Sequence, residues 1–112
     1  MQITLPLAQD KKLTVVFRVE PGCLGPDGKD HVDEFCNFAG KEVESIEPDF
    51  VLWNIVPRDD KSLPEMQFRI GNKNLTHDQA EKYLKLFDKS LDDFEENWFE
   101  TLAVLISKFL EQ

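Results

Sequence analysis

The 112-residue chain contains only two cysteines, two histidines and one tyrosine, and it has no long hydrophobic run. Two cysteines are too few for a disulfide scaffold, and a chain of this length buries enough surface to fold without one. A membrane-spanning helix needs about 20 consecutive apolar residues, which no segment supplies. The N-terminal MQITLPLAQDKK lacks a basic region ahead of its short apolar stretch, so a signal peptide is not expected. We predict a cytoplasmic protein with reduced thiols and no membrane contact.

Basic residues are also scarce, since 13 Lys and Arg stand against 22 Asp and Glu, a formal net charge of −9. The acids are concentrated in two stretches. Residues 27–49 carry eight acids and two bases, and residues 92–100 carry five acids and no base. Because nucleic-acid binding requires clustered Lys and Arg, we predict no direct nucleic-acid binding. The same acidity leaves open an acidic decoy that mimics nucleic-acid charge toward a basic partner.

The segment PGCLGPDGKDHVDEFC, residues 21–36, contains both cysteines and a histidine around a turn. A structural zinc site needs four nitrogen or sulfur ligands in closely spaced pairs, which would require Cys23, Cys36 and both histidines of the chain. No CxxC or HxxxH spacing is present, and Cys36 falls on the apolar face of a predicted helix. We therefore predict no metal and no cofactor.

Catalysis by the same segment has little support in the sequence. Cys23 precedes a helix and His31 is the nearest base, but the surrounding carboxylates would raise the thiol pKa. The glycine spacing matches neither phosphate-binding loop motif, and the paired carboxylates lie on outward helix faces. We predict no catalytic residues, while a small enzyme or ligand binder using the loop at 21–31 remains an alternative.

Two strands are predicted near the N-terminus. Residues 13–19, LTVVFRV, place alternate apolar side chains on one face, with Val16 and Arg18 pointing the other way. Residues 3–7, ITLPL, also alternate, but Pro6 confines this strand to an edge or an end of the sheet. The two segments are predicted to form a hairpin in which the second strand is half-buried.

Two further strands are predicted in the middle of the chain. Residues 50–56, FVLWNIV, form a continuous apolar run that is typical of a central strand covered on both faces, or of a strand with one covered face and a partner on the other. Residues 66–70, MQFRI, alternate between apolar and polar side chains. These two strands are predicted to pair as a hairpin across a connection longer than the common turns.

Capping signals and apolar spacing predict three helices. The first has Gly40 at its C-cap and the spacing i, i+3, i+4, i+7 on its apolar face, formed by Val32, Phe35, Cys36 and Ala39. Thr76 and Gln79 form a capping box at the start of the second helix. Ser90 supplies the N-cap of a third helix, from Leu91 to about Leu110.

The third helix has more apolar surface than one neighbour can cover. One stripe contains Leu91, Phe94, Trp98, Leu105 and Phe109, and a second stripe beside it contains Phe99, Leu102, Ala103, Ile106 and Leu110. A helix that covers one face of a sheet needs a single apolar stripe, so the second requires another helix or another subunit. We predict an interface at Phe99, Leu102, Ile106 and Leu110.

These elements predict one α+β domain over residues 1–112, with a four-stranded sheet in the order ββαββαα and the helices on one face. The alternative is a ferredoxin-like βαββα core with an additional C-terminal helix. The absence of a catalytic set and the surplus apolar stripe favour a non-enzymatic interaction module, acting as a homodimer or with an unidentified protein partner.

Overall fold

The sheet of this protein is mixed, with strand order β2-β1-β3-β4. The computed structural model describes residue 5 and residues 7–111, and the chain divides into two compact units, residues 1–74 and 75–112. The strands are β1 (Leu13–Val19), β2 (Val51–Pro57), β3 (Met66–Ile70) and β4 (Lys73–Asn74), and the helices are α1 (Gly28–Glu42), α2 (His77–Lys85) and α3 (Leu91–Leu110). The predicted α+β class with four strands and three helices is confirmed. A single domain over 1–112 stays a prediction.

The first unit contains the sheet and α1. Strand β1 pairs with β2 in parallel and with β3 in antiparallel orientation, and α1 is the crossover between the two parallel strands. The indole N–H of Trp53 on β2 donates to the carbonyl of Ile46, 3.0 Å away and just after α1. The sheet face that carries Trp53 is therefore the face that α1 covers. On that face Leu13, Val15, Phe17 and Val19 are at most 2% exposed.

The pairing corrects the prediction that residues 50–56 and 66–70 form a hairpin. Strand β1 lies between β2 and β3, so the two segments are not neighbours. Strand β2 is at the edge of the sheet, whereas residues 50–56 were predicted to be central, and β1 is one of the two central strands. The adjacent parallel pair also differs from the ferredoxin-like alternative, in which the βαβ unit is split by another strand.

The burial of β1 is a second correction. Val16 and Arg18 were expected on an open face, but they are only 2% and 7% exposed, so β1 is buried on both faces. The fourth described strand is the short β4, which follows the turn at Gly71, where φ is +59°. The strand predicted at residues 3–7 and its hairpin fall mostly outside the described residues.

Helix α1 has the predicted apolar face, since Val32, Phe35, Cys36 and Ala39 are all buried. Its end differs from the prediction. The helix passes through Gly40 to Glu42 and continues as a 3-10 turn over Val43–Ser45. Gly40 does not have the positive φ of a C-cap glycine, and the left-handed residue after the helix is Glu47, with φ of 48°.

The second unit contains α2 and α3. The capping box at α2 is present, since the Thr76 hydroxyl accepts from the Gln79 backbone N–H and the Gln79 side chain accepts from the Thr76 backbone N–H. This reciprocal arrangement satisfies two backbone donors and explains why α2 begins where the sequence predicts. Within this unit Ala80 and Leu84 of α2 are buried.

Candidate functional site

Helix α3 begins and ends as its sequence predicts. The Ser90 hydroxyl accepts from the backbone N–H of Asp93 at 3.4 Å. Asp92 and Asp93 lie in the first turn and Lys108 in the last, which complements the helix dipole at both ends. These interactions lie within the first and last turns, so they fix the two ends of the 20-residue helix independently of its packing.

One stripe of α3 is buried. It contains Leu91, Trp98, Leu102 and Leu105, with exposed fractions between 1% and 9%. Three of these residues, Leu91, Trp98 and Leu105, are seven positions apart, so they lie along one line of the helix. These four side chains form the buried side of α3, and the remaining sides of the helix are at least partly accessible to solvent.

A second apolar line on α3 reaches the surface. It consists of Phe99, Ala103, Ile106 and Leu110, and we call it the apolar seam. Phe99 is 43% exposed and Leu110 is 55% exposed, while Ala103 is exposed and Ile106 is partly exposed. The members are spaced four, three and four residues apart, the spacing by which a helix meets a second helix along one side. At about 100° per residue, the seam lies roughly a quarter turn from the buried stripe.

The structure separates the four residues predicted for an interface. Phe99, Ile106 and Leu110 belong to the seam, whereas Leu102 is buried with the first stripe. At about 100° per residue, Leu102 is the member of the buried stripe that lies nearest the seam. The interface itself stays a prediction. Val104, which is 54% exposed, was not predicted to be accessible and lies well away from the seam on the helix.

The charges around the seam are unequal along the helix. N-terminal to Phe99, the line of the seam continues into Asp92, Glu95 and Glu96, so its apolar part ends in an acidic segment. No base occurs between residues 92 and 100. A second helix that meets the seam would therefore avoid placing further acids beside this segment.

A polar cluster lies where α2 begins. The ligand atoms of His77, Asp78 and Glu81 lie within 4.8 Å of one another, and His77 Nε2 is 3.5 Å from Glu95 Oε1 on α3. No other group of three potential metal-ligating side chains occurs among residues 5 and 7–111. Sequence reasoning missed this grouping, for which the only signal was the four-residue spacing of His77 and Glu81 on one helix. Exposed groups of this kind are common without a metal, and this one carries no metal assignment.

The loop at 21–31 does not have the properties of an activated thiol site. The Cys23 Sγ donates to the Glu20 carbonyl at 2.9 Å, and partial burial, together with the nearby Glu65 and Glu20, raises the pKa of this thiol. Burial raises the pKa of Cys36 to about 12, which fits its place in the core of α1. Both shifts oppose thiolate formation at neutral pH.

No family model, curated protein or solved structure matches the chain. Within the described part of the chain, no helix is long and apolar enough to cross a membrane.

Proposed function

We propose that this protein is a non-enzymatic interaction module that forms a homodimer through the apolar seam of α3. The observation that carries the proposal is the exposure of Phe99 and Leu110 on one line of a well-capped helix, at the spacing used in helix–helix contacts. We propose a second copy of the chain as the partner, because it presents the same apolar seam with the same spacing.

The exposed area predicts a weak dimer. With side chains of roughly 150–200 Å², the exposed parts of Phe99 and Leu110 are on the order of 90 Å² each. Burying both residues from both copies would contribute about 9 kcal/mol at ~25 cal/mol per Å². Association itself costs about 4 to 15 kcal/mol in lost freedom, so the surplus is small. A surplus of at most about 5 kcal/mol corresponds to a dissociation constant of about 0.2 mM or higher.

Charge favours an antiparallel arrangement of the two helices. In a parallel pair Asp92, Glu95 and Glu96 would face the same residues of the second copy. At ~7 Å in water each such pair costs about 0.6 kcal/mol, so three pairs would cost about 2 kcal/mol. An antiparallel pair that matches Phe99 with Leu110 of the second copy keeps the acidic segments apart. Such an interface has twofold symmetry and closes at two copies.

A cytoplasmic location belongs to the same proposal, because Cys23 and Cys36 are both free thiols. The raised pKa values of these thiols also make the alternative of a thiol enzyme at residues 21–31 the weaker one.

The test is molar mass by light scattering from about 10 μM to about 1 mM, the range set by the expected affinity. The wild-type mass should rise with concentration toward twice that of the monomer. Leu110→Glu and Ile106→Glu each place a charge in the seam, so both variants should stay monomeric. Leu110 is more than half exposed, so its variant should keep the wild-type melting temperature.

Leu86→Glu is the matched control, because Leu86 is 57% exposed, apolar and outside α3. This variant should dimerise as the wild type does. A wild-type chain that remains monomeric at the highest concentration would contradict the proposal, as would a Leu110→Glu variant that dimerises normally.

A further inference from the structure

Two arginines share one face of the sheet in the first unit. The register pairs Val16 with Gln67 and Thr14 with Arg69, so Gln67 and Arg69 of β3 lie on the same face as Arg18 of β1. Arg18 is 7% exposed, and Gln67 and Arg69 are partly buried. A charged side chain this deeply buried in a central strand normally has a partner of opposite charge.

The hydrogen-bond partners of both guanidinium groups are neutral. Gln67 Oε1 accepts from Arg18 Nη2 at 3.0 Å and from Arg69 Nη2 at 3.5 Å. Arg18 Nη1 also donates to the Pro64 carbonyl at 2.7 Å, and Arg69 Nε donates to Asn74 Oδ1 at 2.8 Å. A single amide oxygen therefore holds two positive groups side by side.

No carboxylate of residues 5 and 7–111 lies within 4.0 Å of either guanidinium group. The exposed carboxylate of Asp60 accepts from Ser62 at 2.6 Å and 2.9 Å, and these hydrogen bonds, with a smaller contribution from Arg18, lower its pKa. The bonds to described residues use two of the five N–H donors on each arginine. Two cations with donors to spare and only neutral acceptors have the composition of a site for an oxyanion.

We propose that Arg18 and Arg69, held by Gln67, bind a small phosphate-type dianion. A dianion matches the two positive charges, and its several oxygens can accept hydrogen bonds from both guanidinium groups at once. The single amide oxygen of Gln67 accepts from Arg69 only at the long distance of 3.5 Å. The net charge of −9 repels long polyanions, so the ligand is a small one, either inorganic phosphate or a phosphomonoester. This site lies wholly in the first unit and does not depend on the seam of α3.

The first experiment measures melting temperature during a titration with inorganic phosphate at pH 7.5, with sodium chloride at matched ionic strength as the reference. Binding to the folded state should raise the wild-type melting temperature in a saturable manner, beyond the effect of chloride. A parallel titration with phenyl phosphate distinguishes the two sources, because a monoester site should bind it at least as tightly as inorganic phosphate.

Two variants and a control test the assignment of residues. Gln67→Glu places a carboxylate between the arginines, so it should raise the melting temperature without phosphate and weaken phosphate binding at least tenfold. Arg69→Gln should also weaken binding at least tenfold. Lys41→Gln removes the same charge from the exposed side of α1 and should leave binding unchanged.

If Arg69→Gln is poorly folded, the phosphate titration of Gln67→Glu still tests the proposal, because this variant should be at least as stable as the wild type. A wild-type response no larger than that to chloride would overturn the site. Equal phosphate binding by the wild type and Gln67→Glu would overturn it as well.

Discussion

Two neighbouring aromatic residues on α3 offer a direct test of how the helix divides its surface. Trp98 is 2% exposed and Phe99 is 43% exposed, although they are adjacent in sequence. Replacing each by alanine removes an aromatic ring from the same helix at the same depth along its axis. We expect Trp98→Ala to reduce stability strongly and Phe99→Ala to reduce it slightly while weakening self-association.

The magnitudes follow from the burial of each side chain. An indole residue of roughly 240 Å², almost wholly buried, corresponds to about 6 kcal/mol at ~25 cal/mol per Å², as an upper bound. Alanine retains part of that area and the unfolded chain is partly compact, so we expect a loss of about 3 to 5 kcal/mol. Phe99→Ala removes the buried part of the side chain, a little more than half of it, and alanine has the higher helix propensity. The net loss in free energy of unfolding should be about 1 kcal/mol.

Urea unfolding followed by far-ultraviolet circular dichroism measures both losses in free energy of unfolding. Because small proteins have a total stability of about 5 to 15 kcal/mol, Trp98→Ala should shift the midpoint visibly or leave the chain unfolded. Light scattering on Phe99→Ala gives the association. Equal losses for the two variants would refute the assignment of one residue to the core and the other to the seam.

Two further predictions concern the first unit. A Cβ on Gly28 would collide with the carbonyl oxygen of Pro21, so Gly28→Ala should destabilise the protein by more than ~2 kcal/mol. Gly40 lies inside α1 with open space around the position of a Cβ, so Gly40→Ala should stabilise the protein by about 1 kcal/mol. A loss of stability in Gly40→Ala would contradict the helical geometry at that position. Thiol labelling of the native protein should modify Cys23 at a rate that is still rising with pH at pH 8.5, because burial raises its pKa above 9.0. Cys36, with a pKa of about 12, should react only after denaturant is added, and rapid labelling of Cys36 at pH 7 would show that it is not buried.

Local sequence signals predicted most individual elements. Strands 13–19 and 66–70 have the predicted bounds, and both the capping box at Thr76 and the N-cap at Ser90 are present. These features depend on neighbouring residues, through alternation along a strand or hydrogen bonds within one helical turn. Gly40 shows the limit of such signals, because a glycine near a helix end is compatible with both a cap and an interior position.

The candidate sites differ in how far the sequence indicated them. A second apolar stripe on α3 was predicted from spacing alone, and four of its five residues form the seam, while Leu102 is buried. The arginine pair was not predicted, because Arg18 and Arg69 are 51 positions apart and meet only through the pairing of β1 with β3. Periodicity also treats arginine as a solvent-facing residue, and so placed Arg18 on an open face.

By itself, the sequence determined the α+β class, the bounds of β1, β3 and α3, the start of α2, the acidic character of the chain and the surplus of apolar residues on α3. Only the tertiary structure decided that β1 is a central strand and β2 an edge strand. The reason is that side-chain alternation depends on a strand's own residues, whereas pairing depends on which distant segments complete the backbone hydrogen bonds. A parallel crossover through α1 placed β2 beside β1, and β3 occupied the other side. The pairing of β1 with β3 also brought two arginines to one glutamine.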